Sequence, residues 1–123
     1  MTEEKNNHPK NEEDKPVTKM VALILKTAFN DSASDIHFKL QEDEIEVIFN
    51  INNTLEKVLV LPTKVWPALV ARIKILANLD LDEKQNQQEG EFTSRIEEQE
   101  IICHVSTSPS EFDEKVTINL HKK

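Results

Sequence analysis

The stretch Glu44–Leu61, EIEVIFNINNTLEKVLVL, decides the fold class. Ile45, Val47, Phe49 and Ile51 recur at every second position, and Glu46 and Asn50 fall between them. That period predicts a strand with one buried and one polar face. Asn52-Asn53 follows, and asparagine tolerates the left-handed backbone of a tight hairpin turn. Thr54–Leu61 then returns as the partner strand.

Upstream, the period changes. Val17, Met20, Val21, Ile24, Leu25 and Ala28 form one apolar stripe at helical spacing, with Pro16 expected in the first turn and Asn30-Asp31-Ser32 ending the helix. Asp35–Leu40 is a short strand candidate. Downstream, Pro62-Thr63 leads into a second helix carrying Val65, Trp66, Leu69, Val70, Ile73, Leu76 and Ala77, with Pro67 in its first turn. A polar connection, Asp80–Glu89, reaches Gly90, and three strands are predicted after it: Glu91–Ile96, Glu100–Thr107 and Glu114–His121. In the last, Val116, Ile118 and Leu120 lie opposite Lys115, Thr117, Asn119 and His121. The expectation is an α+β domain: an antiparallel sheet of about five to six strands with two main helices on one face. Residues 1–15 carry no apolar residue after Met1 and read as a disordered polar tail, which leaves 16–123 as the domain.

Composition narrows the partners. A net charge of −8 disfavours nucleic acid and anionic membrane, both of which need a basic patch. The chain has two arginines, Arg72 and Arg95, no tyrosine and one tryptophan, so base stacking is poorly served as well. No apolar run approaches the ~20 residues of a membrane-spanning helix, and the start MTEEKNNHPK has no signal-peptide core. A single cysteine, Cys103, excludes an internal disulfide and fits a reducing compartment; the expected address is the cytoplasm.

Four stretches, in order, resemble the N-terminal domain of type II secretion and type IV pilus assembly ATPases, the secretion ATPase E family. Pro16–Val21 with Leu23-Ile24-Leu25 is similar to the entry helix of that domain. Ser32-Ala33-Ser34-Asp35-Ile36-His37 is similar to its ASDIH signature, and Ala68–Lys84, ALVARIKILANLDLDEK, to its RIK-LA-LDIAEKR segment. Val105–Pro109 followed by Glu114-Lys115-Val116 resembles its VSTLPT…GEKVV. The resemblance implies a PAS-like domain that precedes a RecA-like motor in a hexameric ring, with arginines reaching nucleotide or a neighbouring subunit.

Two departures bear on function. A phosphate loop needs two glycines, and these residues contain one, Gly90, so the motor is expected to be missing and no ATP hydrolysis by this chain alone is expected. Where the family typically carries arginine, the sequence has Asn50, Gln85, Glu91, His104 and Asn119. Alternation turns Asn50, His104 and Asn119 away from the apolar side of their strands, giving an uncharged or acidic face in place of a cationic one. Charge-assisted contacts of roughly 1.5–3 kcal/mol each are thereby removed. Family turn glycines are replaced by Asn53 and Asp113.

No other constellation is specific. Asp35 and His37 share a strand face and read as a turn-stabilising aspartate and a hydrogen-bonded histidine. His8, His37, His104, His121 and Cys103 do not form a metal set, because Cys103 and His104 face opposite sides of one strand. The same geometry excludes them as a nucleophile and base, and Cys103 reads as a core thiol. The carboxylates read as a solvated face, and Trp66 as a core anchor. With no catalytic residue, cofactor or metal expected, the leading expectation is a non-catalytic interaction module. It would dock on a secretion or pilus ATPase or its cytoplasmic platform protein, or form a homo-oligomer. Alternatives are a PAS-like small-ligand-binding regulatory domain and the N-terminal half of a split ATPase.

Overall fold

The computed structural model describes the backbone from Thr2 and the side chains from Pro16 to the C-terminus. Helix α1 spans Thr2–Asn30, followed by β1 (Asp35–Leu40), β2 (Ile45–Ile51) and β3 (Thr54–Leu61). A 3-10 turn, Thr63–Val65, opens α2 (Trp66–Leu76), and β4 (Gln88–Ile96), β5 (Gln99–Ser110) and β6 (Asp113–Lys122) complete the chain. The six strands form one sheet in the order β3-β2-β1-β6-β5-β4. It consists of two three-stranded antiparallel meanders, β1-β2-β3 and β4-β5-β6, joined where β1 pairs antiparallel with β6. The α+β class and the two helices agree with the expectation, and the strand count reaches its upper value.

The hairpin forms as its turn chemistry dictates. Asn52 and Asn53 take φ of 54° and 63°, the left-handed pair that a two-residue turn requires. Pro67 sits in the first turn of α2, where its missing N–H does no harm. Pro16 does not sit in the first turn of α1, because that helix begins at Thr2. A proline can lie inside a helix at the cost of one unmade hydrogen bond, so Pro16 marks no element boundary. The side chains of the expected tail, 1–15, and with them His8, lie outside the described residues.

One core lies between the sheet and the helices. Val21, Ile24, Leu25 and Ala28 of α1 meet Trp66, Leu69, Val70 and Ile73 of α2 over Ile36, Phe38, Val47, Phe49, Ile101, Val105, Val116 and Ile118 of the sheet. Cross-strand register aligns the sheet side of this core, with Phe49, Ile36, Ile118 and Val105 lying in one row. The row ends on Gly90, opposite Val105. A Cβ on Gly90 would meet the Ala77 carbonyl oxygen at 2.5 Å, so only glycine lets the end of α2 rest on β4.

Two charged residues belong to this apolar layer. Lys74 and Glu114 are 0% and 1% exposed and pair at 3.0 Å, and the same ammonium donates to the Glu83 carbonyl at 2.8 Å. The expectation that the carboxylates form a solvated face fails at Glu114. Removing one partner would leave an uncompensated buried charge.

Candidate functional site

Among the described residues, the helices pack on one face of the sheet and the second face is left open. Cross-strand register places Leu55, Asn50, Asp35, Asn119, His104 and Glu91 in a single row from β3 to β4. Four of the five positions where the resemblance expects arginine, Asn50, Glu91, His104 and Asn119, are thus brought side by side on four strands. Strand alternation anticipated the direction of three of them. The fifth, Gln85, lies in the loop between α2 and β4 and takes no part in the row. A neighbouring row holds Lys57, Ile48, His37, Thr117, Ser106 and Glu89.

The polar groups of these rows bond to one another. Asp35 accepts from the Ser34 hydroxyl at 2.6 Å and from Asn50 Nδ2 at 3.4 Å through Oδ1, and its Oδ2 lies 2.6 Å from His37 Nε2. The His37 Nε2–H donates to that carboxylate. In the neutral ring Nδ1 therefore accepts from the Thr117 hydroxyl, 3.2 Å away. His104 stands between two carboxylates, Nε2 3.3 Å from Glu89 Oε1 and Nδ1 3.8 Å from Glu91 Oε2. Asn50 Oδ1 is buried without a hydrogen-bond partner among the described residues.

The expectation of an uncharged or acidic face holds for the arginine row but not for the whole surface. Lys57 lies on it, 3.4 Å from Glu44 and 3.5 Å from Glu46, and those carboxylates raise the pKa of its ammonium. Lys39 and Lys115 face each other one row further along. The fixed cations of the open face are displaced from the row itself, whose basic member is a histidine.

Asp35, His37 and Thr117 link acid, imidazole and hydroxyl in the order a nucleophilic relay uses. They sit on two central strands, whose backbone N–H groups are committed to the ladders, so no oxyanion donor faces the hydroxyl. None of the three lines a described cleft. The arrangement ties β1 to β6 at the junction of the two meanders, and His37 is hydrogen-bonded on both ring nitrogens.

The remaining candidates resolve simply. Cys103 is fully buried and His104 is turned outward, so the two do not meet. Burial pushes the Cys103 thiol up to about 11, away from nucleophilic use. Among the described residues no group of three metal-ligating side chains forms, and no helix is long and apolar enough to cross a membrane. Trp66 is buried, and its indole N–H donates to Asp113 Oδ2 at 2.8 Å. Lys84 reaches the other oxygen of Asp113 at 3.3 Å. Asp113 has φ of 154°, a backbone conformation that favours glycine, the residue that the resemblance expects there. A cleft of about 430 Å³, open to solvent, lies beside the C-terminal end of α1 and is lined by Phe29, Ser32, Ile101, Leu120 and His121.

Comparison with known proteins places these features. The profile of the family described as Type II/IV secretion system protein matches residues 10–123. The type II secretion system ATPase E of Vibrio cholerae is 35% identical over 112 residues, covering 91% of this chain and 22% of the relative. The type II secretion system protein E of Pseudomonas aeruginosa is 36% identical with the same coverage, 91% and 22%. The type IV pilus assembly ATPase TfpB of Acinetobacter baylyi is 35% identical over 108 residues, 87% of this chain and 18% of the relative. The chain spans about a fifth of the length of the relatives it matches.

Proposed function

The chain belongs to the Type II/IV secretion system protein family, and from that premise we propose that residues 16–123 form a non-catalytic assembly module that docks on a secretion or pilus ATPase or its cytoplasmic platform protein. One observation carries the reading: Asn50, Glu91, His104 and Asn119 converge on one row of an uncovered sheet face. The frame that presents the row is intact, from the Asn52-Asn53 turn to the buried Lys74–Glu114 pair. The row's own chemistry is neutral to acidic, which is unsuited to nucleotide phosphates and suited to polar protein surface. A secretion or pilus motor domain is one such partner, and the working address is the cytoplasmic face of the assembly.

The test uses purified components. Immobilised chain is exposed to a full-length type II secretion ATPase and, separately, to the cytoplasmic part of its platform protein. The reading predicts saturable binding to one of them that is lost in a His104→Ala/Asn119→Ala variant with an unchanged fold. Absence of binding to every secretion and pilus component tried would contradict it.

A further inference from the structure

Two lysines stand directly opposite each other in the middle of the open face. Lys39 of β1 is in register with Lys115 of β6, at the junction of the two meanders. Lys39 is half-buried and Lys115 exposed. Cross-strand partners have Cβ atoms roughly 4.5–5.5 Å apart, and like charges so placed repel. The row continues to Glu46 on β2 and Ser108 on β5.

The carboxylates that could neutralise this pair are engaged elsewhere. Glu46, opposite Lys39, accepts from Gln41 Nε2 at 3.4 Å through Oε1 and pairs with Lys57 at 3.5 Å through Oε2. Lys57 stands one residue before the β3 bulge at Val58 and also holds Glu44. Glu114, next to Lys115 in sequence, turns to the covered face and pairs with Lys74. Glu42, Asp43 and Glu111 are exposed on the two adjoining turns, and among the described residues none forms an ion pair with either lysine. A chain of net charge −8 thus holds two uncompensated cations side by side on the face proposed for docking.

The surroundings narrow what the pair accepts. Glu46 in the same row and the acids of the two turns repel a long run of phosphates, such as nucleic acid or an anionic membrane presents. They leave room for two anionic groups. Side chains three or four residues apart on a helix have Cβ atoms about 5–6 Å apart, which matches the lysines. Two same-face side chains on an extended strand stand farther apart, at about 6.6 Å. From charge and spacing together we infer that Lys39 and Lys115 receive two carboxylates, at i and i+3 or i+4, of an acidic helix on the docking partner. The inference rests on the docking reading of the open face and adds the chemistry of the partner. It also ties binding to stability with opposite signs. Neutralising the pair relieves repulsion in the free chain and removes the attraction in the complex.

Two measurements on the full chain test it. Lys115→Glu sets an acid opposite Lys39 at an exposed position. This variant is expected to raise the thermal midpoint by about 1–4 °C. It is also expected to weaken binding to the secretion ATPase or platform protein by about tenfold. If the wild type binds and Lys115→Glu binds as tightly, the inference fails while the docking reading stands. The second measurement needs neither component, so it decides the inference even where the docking reading fails. Amide shifts of Lys39, Ser108 and Lys115 are followed against a synthetic helical peptide with two glutamates four residues apart, its glutamine counterpart, a short DNA duplex and phosphatidylserine vesicles. Saturable shifts are expected with the glutamate peptide alone, and not in Lys39→Gln/Lys115→Gln. No shift with that peptide, or a stronger response to the duplex or the vesicles, would overturn the inference.

Discussion

The two faces of this sheet obey different rules. On the helix-covered face buried positions are matched to one another: Ile36 to Phe49 and Ile118, Gly90 to the Ala77 carbonyl, and Lys74 to Glu114. On the open face the row from Asn50 to Glu91 is bonded largely to the polar row beside it, through a short Asp35–His37 contact and a histidine held between Glu89 and Glu91. The difference teaches that one side of a sheet can hold a fold while the other is left to carry its own chemistry. Substitution on the covered side opens a cavity or strands a charge. Substitution on the open side, where side chains are half-buried or exposed, disturbs no close-packed core.

If that division is right, the largest losses come from the covered face. Lys74→Met alone is expected to lower unfolding free energy by about 3–5 kcal/mol, because Glu114 would be left buried and unpaired. Adding Glu114→Leu should recover most of that loss, as read by urea denaturation. A small effect of the single variant would show that the pair is more hydrated than its burial implies. Gly90→Ala is expected to cost about 1–3 kcal/mol through overpacking against Ala77.

Alkali sharpens the same contrast. The folded-state value of Cys103 is raised to about 11 from 9.0, so its contribution to stability is complete below pH 9 and is lost as pH rises toward 11. Stability measured across that window should fall more for the wild type than for Cys103→Ala, and a thiol reagent should modify the native protein slowly. The open face should respond least. The triple variant Asn50→Arg/His104→Arg/Asn119→Arg is expected to change stability by no more than about 0.5 kcal/mol per site. A loss as large as that of Lys74→Met would erase the distinction between the faces.

Much of the covered face was legible in the sequence because burial imposes a period. The alternation in Ile45–Ile51 and in Val116–Leu120 fixed which side of each strand is apolar, and Asn52-Asn53 fixed the turn between β2 and β3. The Lys74–Glu114 pair was missed although each half was visible. Lys74 continues the stripe of Val70 and Ile73 on α2, and Glu114 shares the alternation of Val116 and Ile118. A charge on a buried period asks for a partner, but local spacing cannot say which one when the partner lies 40 residues away. The open row was legible only as directions. Alternation turned Asn50, His104 and Asn119 outward, and pairing between distant strands then set them beside Asp35 and Glu91. Gln85 could not be placed because a loop has no period, and the Val58 bulge left no mark in the hydrophobic pattern.

Nucleotide binding by the open face tests the central claim most directly. Trp66 is a poor reporter of it, being buried against Asp113 in the core cluster beneath the helices, so backbone amide shifts should be followed while ATP with magnesium is titrated. The account predicts no saturable shift at Asp35, Asn50, His104 or Asn119 up to millimolar nucleotide. A saturable response confined to those amides would mean that a row with no arginine reads phosphate, and the proposed docking role of the open face would be wrong.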